Sequence, residues 1–451
     1  MKKYSPVGAL LLSIALVCAC SDERTSERPG ATTLPPAVGT RTAYRPSPAA
    51  DLPPPQRHRF PPLEPLADAG ADQRGIPHLR TFTSDDGLPL DAFWCGAMDS
   101  TGTLWFGSNG GGLVRYDGQA FVHFSLAEGL SDNVIMSLLP GRNGDLWIGT
   151  SMGGLMRYDG RSFKSWSDAD GLPNRGVISL LEDRNGLLWI GTRRNGLSRW
   201  DGKAFTTFTA KDGLVGDWVH DILEAKDGTL WFATDLALCR YDGAHFTAYT
   251  TANGLPITTL QALAEDDSGA IWIGDYKGHL VRMRPGRNGT APQFKLFDGL
   301  LFDAGRINRL RNVRGDIWAV TDGSGAWRLH KASLGTDRLQ VSRLTTEQGL
   351  PAKTLEDIVV DRAGDIWIAT NGGGLVHYRG EAFVNRPGLH VYGIAEKPTG
   401  GLWLVTNEGV RSLDSNALAV PSGAFNESLR AYAAARDQQG RILFGQDLPG
   451  S

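Results

Sequence analysis

Hydrophobic positions in this chain come in short runs separated by turn residues. Between residues 133 and 172 the runs are Val134-Ile-Met-Ser-Leu-Leu139, Leu146-Trp-Ile-Gly-Thr150, Leu155-Met-Arg-Tyr158 and Ser162-Phe-Lys-Ser-Trp166. Each has strand length. Between them stand Gly141-Arg-Asn-Gly144, Met152-Gly-Gly154 and Asp159-Gly160. Asp-Gly between two runs signals a hairpin, and the Gly-rich turn tolerates positive φ. The fourth run is more polar, as suits an outer edge, and Asp170-Gly-Leu172 leads onward. The pattern predicts one small four-stranded antiparallel sheet.

The same phrase recurs along the chain. Gly102-Thr-Leu-Trp-Phe-Gly-Ser108 and Gly186-Leu-Leu-Trp-Ile-Gly-Thr192 are strong copies, and weaker ones centre on Trp231, Trp272, Trp318, Trp367 and Trp403. Successive tryptophans lie 42, 42, 42, 41, 46, 49 and 36 residues apart. A period near forty marks a repeat architecture, and four short strands per period with one fixed aromatic predict a β-propeller blade. The fold class is therefore all-β, a propeller of four-stranded antiparallel blades. Full units are expected at 93–126, 133–168, 176–210, 218–250, 259–297, 306–346 and 356–385, and an eighth at 391–414 shows three strands.

The stretch 78–84 reads as an outer strand without its own inner three. Leu79 and Phe82 precede Gly87 at the offsets by which Phe121 and Phe124 precede Gly129. In a closed ring it completes the last blade, the seventh or the eighth, and removes the exposed edges. The expected domains are 78–414 for the propeller and 415–451 for an incomplete further blade, either the start of a second propeller or a truncation.

The N-terminus reads as an address. Met1-Lys-Lys3 precedes an apolar stretch from Val7 to Val17 and then Val17-Cys-Ala-Cys20. This resembles a bacterial lipoprotein signal, residues 1–19, with Cys20 as the lipidated residue. Acyl chains there would tether the protein to a membrane on the extracytoplasmic, periplasmic side. Residues 21–77 hold 12 of the 24 prolines and no hydrophobic periodicity, so 20–77 is expected to be a disordered linker. Cys95 and Cys239 fall in blades that do not touch, and they are expected to be small buried hydrophobes rather than a disulfide.

Composition narrows the function. Net charge is −3, from 46 basic and 49 acidic residues, which gives no electrostatic case for nucleic acid, and the lipid anchor is the one membrane attachment expected. The nine histidines show no His-x-x-x-His spacing, and there is no Gly-x-Ser-x-Gly elbow or phosphate loop. No metal or cofactor is expected.

Leu-Trp-Ile-Gly-Thr, Gly-Gly-Leu, Arg-Tyr-Asp-Gly and Asp-Gly-Leu, recurring in that order over about 78–450, resemble the two-component regulator propeller repeat. The resemblance implies seven-bladed propellers, often in tandem, forming the periplasmic sensor of a histidine kinase. A second propeller and a histidine kinase are thus the implied protein partners. The immunoglobulin-like domain, membrane helix and kinase domains that usually follow are not in this sequence. Leu230-Trp-Phe-Ala-Thr234 is also similar to words of the streptogramin lyases, but no His/Glu cluster carries their active site over.

Blade geometry puts the turn between strands two and three, and the link into the next blade, on one face. These segments vary among the copies, whereas the Asp-Gly hairpins on the other face repeat. Variable loops on a fixed scaffold form the natural binding surface. The ligand-binding candidates there are Asn109, Arg175, Arg193, Arg194, Asn195, Trp218, Asp235, Asp275, Lys277 and Asn371, a set suited to a small polar ligand or oligosaccharide. Ser151, Tyr276, Asp322, Arg306, Lys353, Asn407 and Glu408 share the face. The repeated tryptophans are expected to pack blade on blade. The Arg of Arg-Tyr-Asp-Gly (Arg115, Arg157, Arg199, Arg240) is expected to be structural, and Asp99, Asp183 and Asp361 to shape turns. The leading expectation is a non-catalytic sensor propeller, the alternatives a propeller lyase or hydrolase and a protein-interaction scaffold.

Overall fold

The computed structural model describes residues 39–43, 56–59, 77–286, 290–297 and 305–381, and the strands 391–396, 402–406, 409–413, 431–436 and 442–446. The signal segment, Cys20, Asn407 and Glu408 lie outside the described residues.

Seven four-stranded antiparallel sheets follow one another in sequence order, blades I to VII. Their inner strands are Phe93–Met98, Ile135–Pro140, Val177–Glu182, Val219–Glu224, Leu260–Glu265, Ile307–Val313 and Leu355–Val360. Blade VII takes its outer strand from the start of the chain: Pro77–Phe82 pairs antiparallel with Leu375–Glu381, Phe82 opposite Leu375. The ring closes at seven blades. The strand Val391–Glu396 sits in a separate three-stranded sheet, and Ala431–Arg436 with Ile442–Gln446 forms a two-stranded one.

Each recurring word has a physical duty. The Trp of the second strand packs against the following blade: Trp189 of blade III meets Phe232 and Tyr241 of blade IV at 5.6 and 5.4 Å between ring centroids. Trp367 of blade VII meets Phe106 and Tyr116 of blade I at 5.8 and 5.1 Å, so the closing seam is built like the others. In blades I, III, V and VII the indole also donates to the turn carboxylate, as in Trp189 Nε1 to Asp183 Oδ2 at 2.9 Å. In blades I, II, III and V the residue two after Trp is Gly, and the next inner strand approaches it closely. A Cβ on Gly191 would lie 2.6 Å from the carbonyl oxygen of Val219 in the next inner strand. The Arg of Arg-Tyr-Asp-Gly stands directly opposite the Trp and lies over its ring: Arg199 Cζ is 5.5 Å from the Trp189 centroid.

The Asp-Gly-Leu links are single 3-10 turns held by a capping box. At Ser125-Leu-Ala-Glu128 the Glu128 carboxylate accepts from the Ser125 N–H at 2.7 Å, Gly129 has φ 102°, and Leu130 is buried. Seven backbone bonds then tie each second-to-third turn to the link entering its blade, from Asn109 N–H to Ala92 O at 2.9 Å round to Asn371 N–H to Thr354 O at 3.0 Å. Gly374 N–H to Asp91 O, 2.7 Å, makes the matching tie across the closing seam.

The stretch expected to be an unstructured linker contains two strands. Thr40–Ala43 pairs with the outer strand Ala204–Phe208 of blade III, and Gln56–Arg59 with Ala120–Phe124 of blade I. Edge pairing draws on main-chain donors and acceptors and needs no hydrophobic period, so the sequence pattern does not reveal it. Cys95 and Cys239 are free and buried in separate blades, as expected. Among the described residues no helix is long and apolar enough to cross a membrane.

Candidate functional site at the channel mouth

The seven inner strands surround the axis, and each slips register after its first residue, as between Val219 and Asp221. A bulge of this kind re-aims the side chains beside it. The third residues of the strands are Cys95, Ser137 and Ser179 in blades I to III, and Asp221, Ala262, Arg309 and Asp357 in blades IV to VII. The first three are small and donate to the next blade's backbone, as Ser179 Oγ does to Val219 O at 3.1 Å.

The charged side behaves differently. Arg309 of blade VI reaches Asp221 of blade IV (Nη1 to Oδ1, 3.3 Å) and Asp357 of blade VII (Nε to Oδ1, 3.5 Å). Blades IV and VI are not neighbours, so this side chain spans the channel past the small Ala262. Arg311 adds a second cation to Asp357 at 3.1 Å. Backbone donors complete the set: Gly96 N–H to Asp357 at 3.2 Å and Leu263 N–H to Asp221 at 2.9 Å. Burial opposes the Arg309 charge, but Asp357 and Asp221 outweigh it and raise its pKa. The result is a buried ionic plug joining five blades.

Above the plug, on the face of the variable loops, the mouth is also one-sided. The residues just before the inner strands are Ala92, Val134 and Gly176 in blades I to III, then Trp218, Thr259, Arg306 and Thr354. Trp218 stacks on His220 with centroids 5.1 Å apart, and Arg193 Cζ lies 5.9 Å from the Trp218 ring. Burial pushes His220 down to about 4, with the Arg306 and Arg193 charges adding to the effect, so the imidazole is neutral near pH 7. Arg306 lies 5.8 Å from the Tyr276 ring and 3.7 Å from Glu356, which also accepts from Asn371 Nδ2 at 3.3 Å. Burial raises the Glu356 pKa. Trp218 Nε1 and Arg193 Nε are buried without a hydrogen-bond partner.

Of the residues predicted from sequence, the structure brings Arg193 and Trp218 together and places Asn371 against Glu356. Asp235 accepts from the Trp218 N–H at 3.3 Å and so holds that rim in place. Asp275 is buried and already engaged with His279 Nδ1 at 2.7 Å and with the Lys277 and His279 N–H groups. Arg175 is paired with Asp168 at 2.6 Å, away from the mouth set. Asn195, at φ 71°, donates to Pro173 O at 2.8 Å and serves the turn. Arg194, Lys277 and Asn109 are exposed. Sequence reading missed His220, Glu356 and the plug. Aligning the inner strands would have found them, because charges there interrupt otherwise apolar runs.

The fold and its repeated words define a class: a seven-bladed β-propeller with a polar mouth on one arc. Three stretches, 129–152, 171–194 and 213–235, match the Two component regulator propeller model, each running from an Asp-Gly-Leu-type link or its glycine through Leu-Trp to the following turn. These three stretches, leading into and through blades II, III and IV, are similar to that repeat. No curated protein matches the chain. Among solved structures, an extracellular domain assigned to a hybrid two component system of B. thetaiotaomicron superposes with TM-score 0.56 at 19% identity, covering 82% of this chain and 52% of that one. A second from the same organism, assigned to a one component system, gives 0.55 at 21%, covering 83% and 52%. Virginiamycin B lyase from Staphylococcus aureus gives 0.53 at 15%, covering 67% and 98%. At these identities the likeness is one of fold, and the chain spans about half the length of the two B. thetaiotaomicron domains.

Proposed function

We propose that this chain is an extracytoplasmic ligand-binding propeller that serves a two-component signalling system and is not itself catalytic. Its ligand is small and polar, an oligosaccharide or a piece of one, bound at the mouth over blades III to VII. The observation that carries this is the convergence of Arg193, Trp218, His220, Tyr276 and Arg306 on one arc, with the Trp218 indole N–H and Arg193 Nε left without partners. Aromatic faces beside hydrogen-bonding side chains are the chemistry of polar-ligand recognition. The similarity of three stretches to the two component regulator propeller repeat and the likeness to extracellular domains of two component systems support the sensing role. Lipid anchoring at Cys20 and partnership with a histidine kinase or a second propeller belong to the same reading.

Calorimetric titration of the purified chain against neutral and acidic saccharides tests it, with Trp218→Ala alongside. Loss of binding in Trp218→Ala at unchanged melting temperature is expected; wild-type affinity in that variant would remove the mouth as the site. The likeness to a lyase and the presence of His220 at the mouth favour one second reading, a propeller enzyme. Turnover of a saccharide that His220→Gln abolishes would replace the sensor reading.

A further inference from the structure

At one corner of the mouth two buried donors stand side by side. Several arginines of the ring are matched with acids: Arg184 with Glu224 at 2.6 Å, Arg175 with Asp168 at 2.6 Å, Arg309 and Arg311 with Asp357, Arg306 with Glu356. The Nε atoms of Arg115 and Arg199 are also buried without a partner, but those side chains stand on third strands opposite Trp105 and Trp189, whereas Arg193 lies in a variable turn beside Trp218. Among the described residues Arg193 has no carboxylate within ion-pair distance, and its Nε is buried without a partner. Beside it, the Trp218 N–H is likewise buried and unpartnered. The Asp235 carboxylate is turned to the Trp218 backbone N–H, and Asp217 is exposed with its carbonyl taken by Gly196 N–H. His220 completes the group as a neutral ring, so it adds no charge to be balanced and can donate one N–H.

Resting on the reading of this mouth as a ligand site, we infer that the Arg193–Trp218–His220 corner receives an oxyanion carried by the ligand, a carboxylate or a sulfate ester. A guanidinium and an indole N–H side by side supply the donors that such a group lacks, and a charged hydrogen bond in a partly buried site is stronger than a neutral one. The arrangement also selects. A neutral hydroxyl in the same place would leave the guanidinium without a counter-charge, so the parent sugar binds more weakly than its acid.

The test is titration of the full chain with galactose, galacturonate, galactose 6-sulfate and inorganic sulfate. The expected result is that at least one acidic sugar binds about 10- to 100-fold more tightly than galactose, and that Arg193→Gln removes this preference. Preference for galacturonate identifies the carboxylate as the source, preference for galactose 6-sulfate the sulfate ester. Arg194→Gln, at an exposed neighbour, should leave the affinities within about twofold, and equal melting temperatures of both variants show that the fold is retained. Equal binding of galactose and both acidic sugars would overturn the oxyanion inference while leaving the mouth as a saccharide site. Binding of inorganic sulfate but no sugar keeps the anion corner and overturns the saccharide reading. Binding of no probe would overturn both.

Discussion

Blades I to III and blades IV to VII are built from the same words, yet they meet the axis differently. On the first arc the third inner-strand residues are Cys95, Ser137 and Ser179, each donating to the neighbouring backbone. On the second they include Asp221, Arg309 and Asp357, which reach across the channel to one another. The rim follows suit, with Ala92, Val134 and Gly176 facing Trp218, Thr259, Arg306 and Thr354. The scaffold positions are interchangeable, and the axial positions are not. A ring of near-identical blades becomes a directional object by concentrating charge and aromatic surface on one arc.

The sharpest way to break this comparison is Arg309→Met. It removes the cation paired with the buried Asp221 and leaves Asp357 with Arg311 alone, and should cost about 3–5 kcal/mol in urea denaturation. Ser179→Ala, at the equivalent position of blade III, loses one neutral hydrogen bond and should cost about 1 kcal/mol. Similar losses in the two variants would show that the arcs are energetically alike.

Acid provides the next test. His220 has its pKa depressed from 6.5 to about 4 by burial first and by Arg306 and Arg193 second. Above pH 6.5 it is neutral both folded and unfolded and has no effect on stability. As pH falls from 6.5 to 4 the unfolded chain takes up the proton first, so stability drops by up to about 3 kcal/mol. Below 4 this group causes no further loss. His220→Gln should therefore lose less stability than wild type between pH 7 and pH 4.5, measured as the difference in denaturation midpoints. Parallel curves would contradict the buried, neutral ring.

Within the scaffold the expected effects are smaller. Asp183→Ala should cost about 1–3 kcal/mol, because it strands the buried Trp189 N–H and removes the turn's own hydrogen bonds. Arg175→Ala breaks an exposed, solvent-screened pair with Asp168 and should leave the denaturation midpoint close to wild type, with ligand affinity unchanged. An Arg175 effect as large as that of Asp183 would place it among the structural residues of the ring.

Much of the scaffold was legible because its physics is local and repeated. The Asp-Gly hairpins, the fixed Trp of each second strand and the orphan outer strand, read as 78–84 and observed at Pro77–Phe82, all announce themselves by spacing. The site was legible only in part. Arg193 and Trp218 stand out because loop residues vary against a constant background. Asp275 and Asn195 vary too, but their side chains are used up in making their own turns, which spacing cannot distinguish from binding. The charges of the plug interrupt apolar runs and are visible once the inner strands are aligned, but their pairing is not: Asp221 and Arg309 are 88 residues apart, and closure of the ring brings them together. The added strands 40–43 and 56–59 were hidden because an edge accepts any extended backbone.

The most direct test of the one-sided mouth is hydrogen–deuterium exchange of the chain with and without saturating galacturonate. Protection should appear in the amides of 193–196, 216–220 and 306–308, while the matching loops of blades I and II, 109–112 and 151–154, exchange at unchanged rates. Protection confined to the loops of blades I and II, or to the Asp-Gly hairpins on the opposite face, would contradict the account.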